Sequence, residues 1–185
     1  AMSIGRTFKE ALQKGLRSLE TGLPGLGKLI CAKIPDRETL LARMRKPHST
    51  RILDIRHAIL IGVSLEDIFE ATWIDPWFLR QIKEIVDMEE ALRAFPREHA
   101  AAADDACREM LARAKTFGFS DPQLAAAWGL TPLEVRALRQ KFGIKPTYYL
   151  VDTCAAEFEA YTPYYYSTYE SGHELAISDR RKVVI

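Results

Sequence analysis

Apolar residues recur every three or four positions from Phe8 to Leu19, which is the spacing of one face of an α-helix. Thr7 and Glu10 precede and open this run, and their spacing is typical of a capping box, in which two side chains satisfy free backbone donors. Three glycines and a proline between 21 and 27 follow. The pattern therefore predicts a helix over 8–19 and then a loop.

The same periodicity predicts four more helices before Pro96. In the second of them, the pattern places Arg51, Asp54 and Arg56 on the outer face. Trp73, Trp77 and Phe78 flank the start of the last one. We expect them to lie in the core and hold two helices together, with a partner-binding surface as the alternative. The predicted helices begin near Asp36, Thr50, Ser64 and Asp75, and Pro76 stands at a first helical position, where its missing donor costs nothing.

The second half of the chain begins with an alanine-rich stretch over 99–116, which favours one helix. Two short helices are predicted next, over 120–128 and from a second capping box at Thr131 to about Phe142. Gly143 is expected as a left-handed cap. Beyond Pro146 the helical periodicity disappears, so we expect 148–169 to be irregular extended chain. The apolar residues at 183–185 predict the start of a buried strand.

One sequence pattern occurs twice, 56 positions apart. Ile74-Asp75-Pro76 with Leu79, Arg80 and Ile82 matches Leu130-Thr131-Pro132 with Val135, Arg136 and Leu138. Each copy predicts a short helix, a tight turn and a second helix that begins with proline. The predicted fold is therefore all-α, an orthogonal bundle of short helices with two helix-turn-helix units and an irregular C-terminal tail.

Charge and composition narrow the function classes. The chain has 26 basic and 25 acidic residues, and this balance argues against nucleic acid as the main partner. Its three cysteines are widely spaced, so neither a disulfide framework nor a paired metal site is indicated. No apolar run is long enough to cross a membrane, and no signal peptide is recognisable. We expect a cytoplasmic protein without membrane contact.

Several sequence patterns could indicate nucleotide binding, DNA binding or catalysis, but each also has a simpler structural explanation. Gly22 to Lys28 has phosphate-loop spacing, but Leu29 stands where a hydroxyl would bind magnesium. The second helix-turn-helix carries Arg136, Arg139, Gln140 and Lys141, which leaves a DNA-binding regulator as the alternative function. Cys154 and His173 could form a nucleophile pair only if the fold brought them together. The acidic pairs are expected on solvated helix faces rather than as catalytic carboxylates; they are Asp104-Asp105 and Glu89-Glu90. No catalytic, cofactor-binding or metal-ligating residue is predicted.

Two groups of residues are predicted to make contacts with other polypeptide. The helix from Asp36 is short and apolar on more than one side, so Leu40, Leu41 and Met44 are the candidate self-association face. The C-terminal tyrosines suit a partly polar interface. Tyr164, Tyr165, Tyr166 and Tyr169 are therefore candidate contacts to flanking domains.

Three motifs together resemble one enzyme family. Residues 3–20 are similar to the end of the first ATP-grasp half of the carbamoyl phosphate synthase large chain. Ser64–Ile68 with Ile74–Leu79 resembles the helical domain that follows in that family, and Val151–Phe158 with Tyr166–Glu170 resembles its distal end. The resemblance runs through the whole chain in order.

This resemblance implies a non-catalytic oligomerisation and connecting domain. It implies that 1–22 is the end of the preceding half, 23–169 the helical domain, and 170–185 a linker and first strand of the following half. It further implies that ATP and the Mg, Mn and K ions bind the two ATP-grasp halves of the parent enzyme. The implied partners are those halves, further copies of the chain and the glutaminase small chain.

Overall fold

The computed structural model describes residues 2–27, 34–153, 157–158, 164–172, 179 and 181. These residues are mainly helical, as predicted, and include one small antiparallel sheet. The helices are Phe8–Ser18 (α1), Arg37–Met44 (α2), Arg51–Leu60 (α3), Leu65–Thr72 (α4), Pro76–Ala94 (α5), Arg97–Ala102 (α6), Asp105–Thr116 (α7), Asp121–Trp128 (α8) and Pro132–Lys141 (α9), and the strands are Thr147–Leu150 (β1) and Tyr165–Thr168 (β2).

Local side-chain chemistry explains where most helices begin. Thr131 and Glu134 form the predicted capping box at α9, and Ser120 with Gln123 forms another at α8. At α1 the prediction was only half right. Thr7 accepts from the Glu10 amide, but the Glu10 carboxylate accepts from the Arg6 amide at 2.9 Å.

The alanine-rich stretch forms two helices, α6 and α7, and the prediction of one helix was wrong. Ala103 has a positive φ of 50°, and Asp104 accepts a hydrogen bond from the Cys107 amide at 2.9 Å. An aspartate in this position satisfies a free donor and favours a new helix start over continuation. The capping tendency of Asp104 therefore overrides the helix propensity of the alanines around it.

Helix α5 is the centre of the hydrophobic core and contacts α1, α3, α4 and α8. Its buried face carries apolar residues at helical spacing. α2 packs on α3 and α4, and α8 packs on α9. The buried apolar residues of α5 are Leu79, Ile82, Ile85, Val86, Met88 and Leu92.

The prediction that α3 turns its charged residues outward was wrong for two of them. Arg56 is buried and donates to Glu89 of α5 at 2.6 and 3.0 Å, and Arg93 approaches the other Glu89 oxygen at 2.5 Å. Asp54 is also buried and pairs with Arg43 at 3.0 Å. Glu89 is consequently part of a buried ion-pair network between α3 and α5, and not of a solvated face.

Both predicted helix-turn-helix pairs contain two helices joined by a tight turn, α4 with α5 and α8 with α9. The orthogonal crossing of the helices stays a prediction. The tail is more regular than expected, because β1 and β2 pair in antiparallel register from Thr147↔Thr168 to Leu150↔Tyr165. The predicted strand at 183–185 lies outside the described residues.

Candidate functional site: interaction surfaces

Helix α2 does not offer the apolar face that its sequence suggests. Leu40 and Met44 are both 0% exposed and belong to the core between α2, α3 and α4. Two of the three residues of the candidate self-association face are therefore buried within the domain, and only Leu41 remains accessible for self-association. Leu41 is half-buried and lines a shallow cavity of about 240 Å³ with Arg37 and Asp67.

The four candidate tyrosines divide into two pairs. Tyr166 stacks on Tyr149 across the sheet, with 6.0 Å between ring centroids, and Lys14 lies 5.9 Å from its ring. Tyr169 contacts the helical body, where Lys115 lies 4.8 Å from its ring centre, and burial raises the pKa of its hydroxyl. Tyr164 and Tyr165 are exposed, so the prediction of contacts to other domains now concerns these two.

A polar cluster, here called the clasp, joins the first helix to the last described strand. The buried Glu10 carboxylate accepts from the Thr168 hydroxyl at 3.0 Å and pairs with Lys14 at 2.8 Å. Lys14 also donates to the carbonyls of Ile4, at 3.0 Å, and Ser167. Buried charges are tolerated only when paired and hydrogen-bonded, so this network fixes β2 on α1. The sequence showed Glu10 as a capping residue but gave no signal for its partner 158 positions away.

A second ionic cluster lies between α7, α8 and α9. Lys115 donates to Asp121 at 3.0 Å, and Arg139 donates to the same carboxylate at 2.7, 3.0 and 3.1 Å. Burial lowers the pKa of Lys115. Burial alone would raise the pKa of Asp121, but the hydrogen bonds from Arg139 and the charge of Lys115 hold the pKa of this carboxyl below its ordinary range.

This cluster bears on the DNA-binding alternative. Arg139 was one of the α9 residues predicted to contact DNA. Its guanidinium instead donates hydrogen bonds to Asp121 and, at 3.4 Å, to the Ile144 carbonyl. A side chain engaged in this way is not available for a base edge. The structure gives the DNA-binding alternative no support.

The aromatic residues at the α4–α5 turn do not lie in the core, contrary to prediction. Trp73 is 80% exposed, Trp77 46% and Phe78 41%. Phe8 of α1 packs edge-to-face against both members of the pair on α5, with centroid distances of 5.7 Å to Trp77 and 5.1 Å to Phe78. These aromatic residues therefore form an exposed apolar surface.

The other candidate chemistry finds no geometric support in the part of the chain that is described. No group of three or more His, Cys, Asp or Glu residues there could hold a metal ion. No described helix has the length and hydropathy needed to span a membrane. Leu26 of the glycine-rich loop is buried and donates to Gln13 at 2.7 Å, while Lys28, Leu29, Cys154 and His173 lie outside the described residues.

The described residues define a helical domain whose distinctive features are a polar clasp and an exposed aromatic surface, as in a scaffold or interaction domain. Comparison with known proteins gives the family. The model for the carbamoyl-phosphate synthetase large chain oligomerisation domain matches residues 1–143, and the chain belongs to this family.

Alignments that cover the whole of this chain agree with the family assignment. The chain is 46% identical to the carbamoyl phosphate synthase large chain of Nostoc sp. and 46% identical to that of Archaeoglobus fulgidus, in each case over 100% of its own length. It is 43% identical to the arginine-specific, chloroplastic large chain of Arabidopsis thaliana. The chain spans only 16%, 17% and 15% of these relatives.

Proposed function

We propose that the chain is a non-catalytic oligomerisation and connecting domain of a carbamoyl phosphate synthase large chain, serving pyrimidine and arginine biosynthesis. It joins the half that makes carboxyphosphate to the half that phosphorylates carbamate. The observation that carries this proposal is the match to the oligomerisation-domain model over residues 1–143, and the hydrogen bond from Thr168 to Glu10 at 3.0 Å supports the connecting role. A domain whose first helix and last described strand hold each other sets a fixed geometry between the segments attached to them.

The partners follow from this role. They are the two ATP-grasp halves, further copies of the large chain and the glutaminase small chain of the complex. ATP, Mg or Mn, and K bind the ATP-grasp halves, and nucleic acid and membrane are not partners. The site of action is the cytoplasm, although the Arabidopsis relative is named as chloroplastic.

The packing of α1 bears on the proposed boundary between the preceding half and the helical domain. The division at 22 stays a prediction, but α1 packs on α5 and is held by β2, which supports including α1 in the helical unit. Contacts to the ATP-grasp halves are proposed for Tyr164 and Tyr165, which are exposed at the start of β2.

Replacement of residues 2–172 by a flexible Gly/Ser linker in the full-length large chain tests the connecting role. Each half is assayed by its own ATP-dependent partial reaction, and the overall synthesis of carbamoyl phosphate is measured beside them. We expect both partial reactions to persist while the overall synthesis falls. Loss of one partial reaction, with that half still folded, would contradict a non-catalytic role. Unchanged overall synthesis would contradict the connecting role.

Self-association is tested by sedimentation of the large chain over a wide range of concentrations. Among the residues of the α2 face, Leu41 is the one to change, because glutamate at the buried Leu40 would disrupt the core instead. We expect Leu41→Glu to shift the equilibrium towards monomer. Leu133→Glu is the matched control, since Leu133 is exposed on α9. Equal association of both variants would show that the self-association interface does not include Leu41 of α2.

A further inference from the structure

Two neighbouring cavities, of about 330 and 430 Å³, share Asp121 and Tyr169 and form one groove beside the start of α8 and the end of α9. Both volumes fall in the range of about 300–1,000 Å³ that small-molecule sites occupy. The lining has six basic side chains but only two acidic ones, Glu10 and Asp121, although the whole chain carries a net charge of +1. We call this the basic groove, and its basic residues are Lys14, Arg17, Lys115, Arg136, Arg139 and Lys145.

Both carboxylates of the basic groove are already paired. Glu10 forms an ion pair with Lys14 at 2.8 Å. Asp121 accepts from Lys115 at 3.0 Å and from Arg139 at 2.7 Å, so this carboxylate is shared by two cations. Neither acidic group is therefore available to neutralise another cation of the groove, and the cluster at Asp121 keeps an excess of positive charge.

Three cations of the basic groove have no carboxylate partner among the described residues. Arg17 donates instead to two carbonyls, of Gly118 at 2.8 Å and of Pro24 at 3.5 Å. Arg136 and Lys145 are exposed, and their side chains make no hydrogen bond or ion pair within the part of the chain that is described. Both of them line the larger cavity. A concave site with unpaired charges of one sign attracts small ions of the other sign, because the low-dielectric walls concentrate the field.

The end of α9 lies beside the larger cavity, and free carbonyls at a helix C-terminus would repel an anion. These carbonyls are satisfied by the turn that follows the helix. Those of Leu138, Arg139 and Gln140 accept from the backbone amides of residues 142, 144 and 143, at 3.0, 2.8 and 3.1 Å. The side chains of the cavity therefore dominate its charge, and an anion meets no unpaired acceptor from this turn.

We propose that the larger cavity of the basic groove binds a phosphate-class oxyanion between the Arg136 guanidinium and the Lys145 ammonium group. A phosphate group carries about −1.5 to −2 charge near neutral pH, which matches these two unpaired cations. The planar guanidinium presents two parallel donors to two phosphate oxygens. Tyr169 and Gln140 line the same cavity and supply a hydroxyl and an amide donor. Free phosphate and the phosphate group of a small ester share this chemistry, and the site is independent of the connecting role.

An NMR titration of the isotope-labelled chain with sodium phosphate at neutral pH tests the site, with sodium chloride at equal ionic strength as the reference. We expect saturable shifts of the backbone amides between 136 and 145 and of Tyr169. The Kd should lie in the ~mM range, because the cavity is open and water competes for the donors. Amides of α3 and α4, which do not line the basic groove, should not shift with phosphate.

The two unpaired cations are tested by a double variant, Arg136→Gln with Lys145→Gln. Both side chains are exposed, so the fold should persist and the Kd for phosphate should rise about tenfold or more. Lys46→Gln with Arg108→Gln is the matched control. It removes the same two charges from exposed positions that line neither cavity, and it should leave the Kd within about twofold.

A second titration, with glycerol 3-phosphate, separates the two sources of the phosphate group. A similar Kd for both compounds supports a site that takes a phosphate ester, and binding of inorganic phosphate alone supports a site for the free ion. Equal shifts with chloride, or an equal loss of affinity in the site variant and its control, would show an adventitious ion only and overturn the assignment. Absence of any saturable shift with either compound would also overturn it.

Discussion

Trp73 and Gly129 occupy the same left-handed position, 56 residues apart, at the ends of α4 and α8. Their φ and ψ angles are 56° and 22° for Trp73 and 70° and 32° for Gly129. The sequence repeat predicted equivalent turns, and their backbone conformations are nearly the same. Glycine adopts this conformation without steric cost, whereas other residues are strained by about 1–2 kcal/mol. The α4–α5 turn is therefore strained at Trp73, whereas the α8–α9 turn is unstrained at Gly129.

Gly129→Ala should lower the free energy of unfolding by about 1–2 kcal/mol, because it introduces this strain. The new Cβ would also lie 2.9 Å from the Arg97 guanidinium, although that flexible side chain can move. Urea denaturation measures the change. Gly129→Asn is the matched control and should cost less, since asparagine tolerates left-handed backbone. Equal losses for both variants would show that the backbone conformation is not the cause.

Trp73→Gly is the reciprocal change and should leave the free energy of unfolding within about 1 kcal/mol of the original. Relief of left-handed strain, about 1–2 kcal/mol, opposes the loss of the Phe69 ring contact and the greater chain entropy of glycine. Thermal and urea unfolding check this. A loss above ~3 kcal/mol would mean that Trp73 supports the isolated fold as a core tryptophan does.

The buried pair of Arg56 and Glu89 gives the third prediction. Arg56→Met should cost about 3–5 kcal/mol of unfolding free energy, because it removes the buried guanidinium that donates two hydrogen bonds to a buried carboxylate. Arg56→Met with Glu89→Met should be clearly more stable than the single variant, since no buried charge is left unpaired and Arg93 is partly exposed. A double-mutant cycle in urea measures the coupling. Additive losses would show that Arg93 alone satisfies Glu89.

The sequence was most informative where the causes of structure are local. The capping residues Ser64 and Thr131 each begin a helix by accepting from the backbone amide three residues on, as predicted, and Ser120 does the same at the start of the short helix predicted over 120–128. The repeat also predicted both helix-turn-helix pairs. Such signals need only neighbouring residues, so they can be read without knowing the tertiary fold.

Contacts between distant segments were not predictable in the same way. The helical pattern predicted that Arg56 is exposed, and the size and apolar character of Trp77 suggested that it is buried. The structure reverses both assignments, because Glu89 lies opposite Arg56 while Trp77 contacts only Phe8 and Phe78 among the described aromatic rings. Burial of a charged residue depends on a partner from another helix, and periodicity carries no information about that partner.

The Asp121 cluster makes stability depend on pH. The folded-state pKa of Asp121 is lowered, so its stabilisation is complete above its ordinary pKa of about 3.9 and is lost as pH falls through the folded-state value. Asp121→Asn should cost about 3 kcal/mol near neutral pH, because Lys115 and Arg139 lose their shared counter-ion. Urea unfolding at several pH values should show this loss shrinking in acid. A loss independent of pH would contradict the assignment.

Disruption of the clasp should release β2 without unfolding the helices. Thr168→Val keeps the size of the side chain but removes its hydrogen bond to Glu10, at a cost of about 1–3 kcal/mol for the poorly satisfied carboxylate. Because β2 pairs only with β1 among the described strands, its amides and those of β1 should exchange hydrogen faster, while the amides of α5 stay protected. Ser171→Ala, at an exposed position three residues on, should change the exchange rates of neither the strands nor α5.

Faster exchange throughout α5 would mean that the clasp supports the whole core. Faster exchange limited to the two strands would show that the sheet is held to α1 by Glu10, as its role in fixing the geometry of the connection requires.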